Sequence, residues 1–146
     1  MLDQGHRPDV IVHASSSGGT QGGLLGGLTL AGVETRVIGI SADESEASLR
    51  LLVEDIERGV LALAGSEAAA RKAEVLDSFV GEGYGMPTAA SREAQILLAR
   101  SEAIVVDHTY TAKALAGLIA LVRGRSLAEG ASVLFWHTGG QVGVLA

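Results

Sequence analysis

The sequence of 146 residues is long enough for a single domain with a buried core, and its 47% hydrophobic residues exclude a disordered chain. Only 3% of the residues are aromatic, so the core is expected to consist of Ala, Val, Leu and Ile. A net charge of −6 with scattered basic residues excludes a nucleic-acid-binding surface, and the absence of cysteine excludes disulfide and thiolate chemistry.

The cellular location is predicted from features that the sequence lacks. No apolar run approaches the ~20 residues of a membrane-spanning helix. The first residues show neither the basic nor the apolar segment of a signal peptide. A chain without cysteine also suits a reducing compartment. We therefore expect a soluble protein of the cytoplasm.

The first part of the chain reads as two buried strands separated by a helix. Residues 9–14 form a short apolar run, which predicts a strand. A helix is predicted over residues 20–31 and ends at Gly32, since glycine is the usual residue just beyond a helix. The run at residues 35–41 predicts a second strand.

A long amphipathic helix follows the second strand. Ser41 and Asp43 precede acidic residues at a spacing typical of a helix N-terminal cap, and Gly65 is the expected stop. The polar face of the helix includes Glu57. Its apolar face is predicted to carry Leu49, Leu52, Val53, Ile56, Val60 and Leu63.

The central part predicts a short helix over residues 66–72 and a third strand over residues 75–80. Three glycines and a proline make residues 81–88 a loop, and Thr88 caps a helix that runs to about Arg100. The side chains of this helix that are expected to point inward are Ile96, Leu97 and Ala99.

The last part completes an alternating pattern. Residues 103–106 predict a fourth strand, residues 113–123 a helix closed by Gly124, and residues 132–136 a last strand. Nearly continuous apolar strands that alternate with helices indicate a parallel sheet buried on both faces. The predicted fold is therefore one α/β domain, an open and mainly parallel sheet with helices on both faces.

The loops at the carboxyl ends of the predicted strands share an unusual composition. Ligands of open parallel sheets bind beyond these ends, so the loops should meet at one edge of the sheet. Four of the five are rich in Gly, Ser, Thr, Tyr or His. The loops are residues 15–23, 41–43, 81–88, 107–111 and 137–140.

The glycine-rich loop after the first strand is the strongest candidate for a ligand site. A small-residue loop between a strand and a helix gathers backbone N–H groups at the positive end of the helix, which suits a phosphate. A tight turn alone would need only one or two glycines. A Walker A lysine and a complete Gly-x-Gly-x-x-Gly are both missing, although Asp43 keeps a nicotinamide-binding site open.

A hydrolase triad, a metal site and a reactive lysine have weaker support in the sequence than a phosphate site. Ser17, Asp107 and His137 follow the order of an α/β-hydrolase triad, but no Gly-x-Ser-x-Gly elbow is present. The four histidines lack paired spacing, so no metal site is predicted, and His13 is interpreted as a structural donor near the end of a strand. Lys113 is interpreted as a solvated or capping helix residue rather than a reactive amine.

Four segments resemble motifs of one enzyme family. Residues 15–24, Ser-Ser-Ser-Gly-Gly-Thr-Gln-Gly-Gly-Leu, look like the phosphate loop of tryptophan-synthase-β-type (fold-type II) pyridoxal-phosphate enzymes, and more narrowly of the D-cysteine desulfhydrase and 1-aminocyclopropane-1-carboxylate deaminase family. Residues 83–88 are similar to its Gly-Tyr-Gly-x-Pro segment, residues 107–114 to its Asp-Pro-x-Tyr-Thr-Gly-Lys-Ala, and residues 137–140 to its His-Thr-Gly-Gly. The departures within the third segment are His108 and Ala112.

The resemblance implies roles for individual residues. Tyr84 and Tyr110, both in predicted rim loops, would stand near the substrate for binding or proton transfer, and Thr138 would face the pyridine nitrogen of pyridoxal 5′-phosphate. Thr111 lies where deaminase-type members tend to carry Glu, which favours a desulfhydrase-like lyase that converts D-cysteine to pyruvate, ammonia and sulfide. The residues implied to hold the cofactor phosphate are Ser17, Gly18, Gly19 and Thr20.

One family feature has no counterpart in the sequence. The lysine that forms the Schiff base with the cofactor lies upstream in the family, whereas the lysines here, Lys72 and Lys113, are not in a matching segment. The resemblance therefore implies a cofactor-anchoring C-terminal portion that is incomplete without an N-terminal lysine segment. The alternative is a non-catalytic domain that binds a phosphate ligand or an NAD-type nucleotide. We also expect an exposed apolar patch and association into a homodimer or with the N-terminal half.

Overall fold

A four-stranded parallel sheet forms the centre of the computed structural model, which describes residues 1–140. The strands lie in the order β3-β2-β1-β4, and all neighbours are parallel. This confirms the predicted parallel α/β fold. The strands are β1 (Val10–Ser15), β2 (Arg36–Ser41), β3 (Glu74–Leu76) and β4 (Val133–Trp136).

Helices cover both faces of the sheet. Side chains alternate along β1, so Ile11 packs beneath the first two helices while Val12 packs beneath the last. The third helix packs against the last one. No helix within residues 1–140 combines the length and apolar composition needed to cross a membrane. The helices are a 3₁₀ turn (Leu2–Gln4), α1 (Gly19–Leu30), α2 (Glu46–Leu63), α3 (Ala89–Glu102) and α4 (Thr111–Arg123).

Glycines on one side of α1 let it approach α2 closely. A Cβ atom at Gly22 would lie 2.6 Å from the Ile56 side chain, and one at Gly26 would lie 2.6 Å from Val60. Gly23, on the outward side of α1, has no such neighbour within 4 Å. Part of the glycine content around the loop after β1 therefore serves helix packing rather than ligand binding, which the sequence interpretation missed.

The predicted helix over residues 66–72 is wrong, because Arg71 holds this segment in an irregular path. The Arg71 backbone N–H donates to the buried Glu57 carboxylate at 3.0 Å. Its guanidinium donates to Thr29 Oγ1 at 2.8 Å and to the Val33 carbonyl at 3.0 Å. The expected solvent-facing position of Glu57 is also wrong, since its carboxylate also accepts from Thr29 and is completely buried.

The third strand is shorter than the predicted residues 75–80. It ends at Leu76, because Asp77 begins a turn in which the Val80 N–H donates to the Asp77 carbonyl at 3.1 Å. The Asp77 carboxylate accepts a hydrogen bond from the Glu46 N–H at 2.8 Å. The chain is therefore drawn away from the sheet towards the start of α2.

The predicted strand over residues 103–106 is also wrong. Ala103 has a left-handed backbone with φ 56°, which ends α3 abruptly. The Val106 carbonyl then accepts a hydrogen bond from Gln95 Nε2 at 2.8 Å instead of from a strand. Ile104 and Val105 are exposed, and among residues 1–140 this segment joins no sheet.

Helix α3 starts as predicted but turns a different face inward. Thr88 is its N-cap, and it forms a reciprocal capping box with Ser91. With this start, Ser91 and Ala94 are buried. Ile96, Leu97 and Ala99, predicted to point inward, are exposed.

The other helix ends also required correction. Ser45, rather than Ser41 or Asp43, caps α2 by accepting a hydrogen bond from the Ser48 N–H. Helix α4 begins at Thr111 rather than at residue 113. On α2, the predicted inward residues Leu52 and Leu63 are exposed.

Candidate functional site

A cavity of about 340 Å³ lies beyond the carboxyl ends of β1 and β4. This is the edge of the sheet at which parallel α/β folds bind ligands. Loops after β1, before α4 and after β4 form its wall. The lining residues are Ala14, Ser15, Ser16, Ser17, Thr20, Tyr110, Thr138, Gly139 and Gly140.

The loop after β1 leaves the start of α1 open to a ligand. Gly18 is the N-cap, with φ 73°, a conformation that favours glycine, and no side chain caps the helix. The first N–H groups of an uncapped helix lack partners and attract an anion. A Cβ at Gly18 would also lie only 3.2 Å from Val53 of α2.

Hydroxyl groups surround this helix start. Ser17 and Thr20 line the cavity, as predicted, and Ser15 and Ser16 lie beside them. Ser15 Oγ is buried and has no hydrogen-bond partner within residues 1–140. A buried hydroxyl without a partner at an uncapped helix start suits a phosphate, because phosphate oxygens accept several hydrogen bonds. The sequence interpretation included Ser15 in the loop but not among the binding residues.

Asp43 connects a second loop to the cavity. Its Oδ2 accepts a hydrogen bond from Ser16 Oγ at 2.8 Å. In a NAD-type site this carboxylate would bind ribose hydroxyls, but one of its oxygens is already engaged by the glycine-rich loop. Asp43 therefore supports that loop through Oδ2, while its Oδ1 is buried and has no hydrogen-bond partner within residues 1–140.

Tyr84 and Tyr110 form a pair at the mouth of the cavity. Their hydroxyl groups are hydrogen-bonded, and their rings meet edge to face with centroids 5.8 Å apart. The hydrogen bond to Tyr84, aided by partial burial and nearby negative charge, raises the pKa of Tyr110 to about 12. Tyr110 therefore keeps its proton at neutral pH. The structure brings the two predicted tyrosines together and joins the loop of residues 81–88 to the site.

Asp107 fixes the start of α4 and thereby the position of Tyr110. Its carboxylate accepts from the N–H groups of Thr109, Tyr110 and Thr111 and from the Thr111 hydroxyl. Burial alone would raise the pKa of Asp107, but these hydrogen bonds outweigh it and hold the pKa below its usual value. Asp107 is a positioning residue, a role that neither the triad order nor the motif of residues 107–114 predicts.

The hydrolase arrangement is not assembled. The Asp107 carboxylate is engaged by the start of α4, and His137 Nδ1 accepts from the Gly139 N–H at 3.2 Å. Ser17, the proposed nucleophile of such a triad, is exposed at the start of α1. An acid, a base and a nucleophile in sequence order do not meet here as a triad.

Lys113 is buried, so its interpretation as a solvated residue is wrong. Nζ donates to the carbonyls of Ala42 at 3.1 Å, Val80 at 2.7 Å and Gly83 at 2.9 Å. Burial lowers the pKa of Lys113, an effect that the charge of Asp43 opposes. Because an ammonium has three donors, these bonds use all of them. Lys113 therefore ties two rim loops together and offers no free amine.

Two further basic residues do not line the cavity. Lys72 precedes β3, at the amino ends of the strands, which is the opposite edge of the sheet from the cavity. His13 is completely buried in β1, and its Nδ1 donates to the Ala14 carbonyl at 2.7 Å, as expected for a structural donor. Burial lowers the pKa of His13, although this hydrogen bond opposes the effect.

Comparison with known proteins identifies the class of protein. Residues 1–139 match the family model described as pyridoxal-phosphate dependent enzyme. The chain belongs to this family, and its cofactor is pyridoxal 5′-phosphate. The cavity fits the phosphate of that cofactor through the open start of α1 and the Ser15 hydroxyl, which has no hydrogen-bond partner in the described part of the chain.

Named relatives narrow the position within the family. A 1-aminocyclopropane-1-carboxylate deaminase of Bradyrhizobium sp. (strain ORS 278) is 33% identical over 142 residues, covering 94% of this chain and 41% of the relative. One from Methylobacterium sp. (strain 4-46) is 37% identical, covering 90% of this chain and 40% of the relative. A crystal structure of an ACC deaminase homologue superimposes with a TM-score of 0.85 and 31% identity, covering 95% of this chain and 42% of that one.

These relatives confirm the resemblance drawn from the four motifs. The chain is a pyridoxal-phosphate-dependent enzyme domain related to 1-aminocyclopropane-1-carboxylate deaminase. It spans about two fifths of the length of the curated relatives that it matches, 41% and 40%.

Proposed function

We propose that this chain is the phosphate-anchoring portion of a cytoplasmic lyase or deaminase that acts on a small amino acid, with the reactive lysine supplied by a segment outside these residues. The observation that carries the proposal is the open start of α1 together with the Ser15 hydroxyl, which lines the same cavity and has no hydrogen-bond partner among residues 1–140. An anion with several acceptor oxygens satisfies both, and pyridoxal phosphate carries such a group.

The cavity residues fall into two groups: those that would hold the cofactor phosphate and those that would lie near the cofactor ring and the substrate. Ser15, Ser17, Thr20 and the N–H groups that follow Gly18 would hold the phosphate. When bound, pyridoxal phosphate supplies an electron sink for negative charge that develops at the substrate Cα. Thr138 would offer a hydroxyl to the ring nitrogen, which leaves that nitrogen less firmly protonated than a carboxylate would.

Tyr84 and Tyr110 would handle a proton near the substrate. The raised pKa of Tyr110, about 12, keeps its hydroxyl neutral, so it donates a hydrogen bond at neutral pH. The hydrogen bond between the two hydroxyls provides a path by which a proton moves between them. Asp107 holds Tyr110 in place through the Tyr110 N–H at 2.8 Å.

Neither lysine of the chain suits covalent attachment of the cofactor. The ammonium of Lys113 is bound by three carbonyls, and Lys72 lies at the opposite edge of the sheet. Covalent catalysis with this cofactor needs a free amine within reach. An amine from a longer form of the protein or from a second polypeptide would supply it.

The proposed substrate is D-cysteine, converted to pyruvate, ammonia and sulfide. The support is Thr111 at the position where deaminase-type members tend to carry Glu. Thr111 is buried, and its hydroxyl donates to Asp107, so it presents no carboxylate to the cavity. 1-Aminocyclopropane-1-carboxylate, the substrate named for the relatives, is the direct comparison.

Borohydride trapping tests the lysine assignment. The wild-type chain is mixed with pyridoxal phosphate, reduced with borohydride and digested, and the modified peptides are identified by mass spectrometry. We expect no stoichiometric modification at Lys113, because its ammonium is buried and fully hydrogen-bonded. Stoichiometric modification of Lys113 that excess inorganic phosphate prevents would contradict the proposal.

Substrate preference is tested by complementation. The chain is combined with the upstream three fifths of the Methylobacterium relative, and pyruvate release from D-cysteine is compared with ammonia release from 1-aminocyclopropane-1-carboxylate. Faster turnover of D-cysteine supports the assignment, and turnover of the cyclopropane alone contradicts it. A Tyr84→Phe chain, which retains the phosphate loop, is expected to turn over either substrate more slowly.

A second candidate function is that of a non-catalytic domain, which would bind the phosphate group of a ligand and catalyse no reaction. The engagement of Lys113 by three carbonyls specifically favours it. In that case the chain would bind pyridoxine 5′-phosphate, which has no aldehyde, and would show no turnover with the complementing portion. Turnover of either amino acid would exclude it.

A further inference from the structure

The Lys113 side chain extends from the first turn of α4 to the loop that carries Tyr84. Its ammonium donates to the Gly83 carbonyl at 2.9 Å. Gly83 directly precedes Tyr84, whose hydroxyl is hydrogen-bonded to that of Tyr110. Tyr110 is the first residue beyond the start of α4, one turn before Lys113. One side chain of α4 therefore binds the backbone that carries the partner of Tyr110.

The loop of residues 81–87 has few other supports. None of its residues is buried, and Tyr84 is 59% exposed. Within residues 1–140, two hydrogen bonds join this loop to another element: the one from Lys113 to Gly83 and the one between the tyrosine hydroxyls. An exposed loop with few contacts is easily displaced. The position of the Tyr84 ring therefore depends on the hydrogen bond at Gly83.

Gly83 has a backbone conformation that favours glycine. Its φ is 142°, although a Cβ atom there would meet no atom within 4 Å. Lack of space is therefore not the reason for a glycine at this position. The Gly83 carbonyl accepts two hydrogen bonds, from Lys113 Nζ and from the Met86 N–H at 3.3 Å. We infer that the glycine allows the backbone geometry that these two hydrogen bonds require.

Lys113 places a charge where an apolar side chain would fill the same space. The side chain is completely buried, and burial lowers the pKa of Lys113, because it disfavours the charged form. A methionine of similar length would avoid this cost. Nζ is bound by three carbonyls, and only the ammonium has three hydrogens with which to satisfy them. Packing alone does not explain a buried charge, whereas the need to hold three loop carbonyls at one point does.

We propose that Lys113 is a positioning residue for the tyrosine pair, because its ammonium holds the Gly83 carbonyl so that the Tyr84 hydroxyl reaches that of Tyr110. This role rests on the function proposed above, in which the pair handles a proton near the substrate. Lys113 is not among the residues that line the cavity. Its replacement should therefore separate the two tyrosines without weakening the phosphate site.

The contact between the tyrosine rings provides a readout that needs no cofactor. The chain has 2 tyrosines, and their ring centroids lie 5.8 Å apart, so a nuclear Overhauser effect between the labelled rings reports their proximity. Lys113→Met keeps an unbranched side chain and removes the ammonium. We expect this effect to be lost at neutral pH, while circular dichroism shows a folded chain. An effect of wild-type intensity in folded Lys113→Met would overturn the proposal.

Chemical rescue separates the charge of the side chain from its packing. Because the natural chain contains no cysteine, Lys113→Cys can be alkylated at this one site while unfolded and then refolded. Bromoethylamine produces a side chain of lysine length that ends in an ammonium. Iodopropane produces one of the same length that ends in a methyl group. The ammonium form should regain the contact between the rings and the methyl form should not, and equal contacts in the two forms would contradict the role of the charge.

Gly83→Ala tests the other end of the hydrogen bond and leaves Lys113 in place. Alanine disfavours a φ of 142°, so the Gly83 carbonyl should move away from Nζ and the contact between the rings should weaken. Gly130→Ala is the matched control, because Gly130 also has a positive φ, 78°, and no atom within 4 Å of its Cβ position. If the Lys113 variants do not fold, this pair decides: an unchanged ring contact in Gly83→Ala, or an equal loss in both variants, would refute the proposal.

Kinetics and ligand binding distinguish a failure of this inference from a failure of the proposed function. With the complementing upstream portion, Lys113→Met should lower kcat about tenfold or more with little change in KM, because a displaced tyrosine handles its proton poorly. Its affinity for pyridoxine 5′-phosphate should equal that of the wild type. A lower affinity in the folded variant would show that Lys113 acts on the phosphate site instead and would overturn the inference. A wild-type chain that does not bind this ligand would refute the phosphate site, while the ring contact would still decide the role of Lys113.

Discussion

Helices α1 and α3 begin near the same edge of the sheet but use their first N–H groups in opposite ways. At α3, Thr88 Oγ1 accepts from the Ser91 N–H at 3.0 Å, and Ser91 Oγ accepts from the Thr88 N–H at 2.8 Å. At α1, Gly18 takes the capping position and offers no side chain. The first arrangement stabilises the chain, and the second leaves donors for a ligand.

The difference shows that a glycine in place of Ser or Thr at a helix start is informative about binding. A capped helix start has satisfied part of its own donors, as the two hydrogen bonds between Thr88 and Ser91 do at α3. At α1 the helix start is uncapped, and the nearby Ser15 Oγ has no hydrogen-bond partner within residues 1–140, so donors there remain to be satisfied. Four predictions test this account of the helices and the cavity. They are given from the largest expected effect to the smallest.

The strongest effect is expected from a methyl group between α1 and α2. Gly22→Ala places a Cβ 2.6 Å from Ile56 and 3.0 Å from the Val53 carbonyl oxygen, so the helices must separate. We expect a loss of about 1–3 kcal/mol in the free energy of unfolding. Gly23→Ala is the control, because its Cβ meets no such atom within 4 Å, and it should stabilise the chain by about 0.5–1 kcal/mol. Urea denaturation measures both, and equal effects would contradict the packing assignment.

Removal of the α3 cap should affect stability alone. Thr88→Ala deletes the oxygen that accepts from the Ser91 N–H and is expected to cost about 1 kcal/mol in the free energy of unfolding. The affinity for pyridoxine 5′-phosphate should not change, because α3 contributes no residue to the cavity wall. Thermal denaturation and calorimetry measure the two quantities, and an unchanged melting temperature would count against the cap.

A fall in pH should lower the free energy of unfolding, because His13 is buried in β1 beneath α1. Burial lowers the pKa of His13 from its ordinary 6.5, so below that pH the unfolded chain binds a proton that the folded chain does not. The stability contributed by neutral His13 is present above pH 6.5 and is lost as the pH falls towards the lower folded-state pKa. Between pH 7 and pH 5, the free energy of unfolding should fall less in His13→Val than in the wild-type chain. An identical decrease in both proteins would rule out this role.

The smallest effect concerns the tyrosine pair. Tyr84→Phe removes the hydrogen-bond partner that chiefly raises the pKa of Tyr110. The ultraviolet titration of Tyr110 should therefore move from about 12 back towards its ordinary value of 10.0. Tyr110→Phe identifies the signal by removing it. A midpoint unaffected by Tyr84→Phe would mean that the hydroxyls do not interact.

The parallel α/β arrangement and the site edge were predictable from the sequence because they depend on local patterns. Buried parallel strands are continuous apolar runs, and loops at their carboxyl ends meet whatever the details of packing. Thr138 could therefore be placed at the cavity, since it follows β4. Tyr110 lies at the same cavity although the strand predicted before its loop is not formed within residues 1–140. The Thr88 cap could also be predicted, since capping depends on a few adjacent residues.

The remaining features depend on contacts between distant residues. Lys113 looked like a surface residue, because the three carbonyls that bind it belong to loops elsewhere in the chain. Residues 66–72 have helix-forming composition, but the hydrogen bonds of Arg71 to α1, α2 and the loop after α1 determine their path. Residues 103–106 have strand composition without a strand partner within residues 1–140. Secondary-structure propensity depends on neighbours along the chain. It therefore predicts neither these hydrogen bonds nor the lack of a strand partner within residues 1–140.

Calorimetric binding of pyridoxine 5′-phosphate tests the central claim most directly, because this ligand carries the phosphate but no aldehyde that could react with lysine. The account predicts that the chain binds it, that pyridoxine without phosphate does not compete, and that inorganic phosphate does. Ser17→Ala should weaken binding, while Ser66→Ala, a serine beyond the far end of α2, should not. Equal affinity for pyridoxine with and without phosphate, or equal effects of the two serine substitutions, would contradict the assignment of the loop after β1 as the phosphate site.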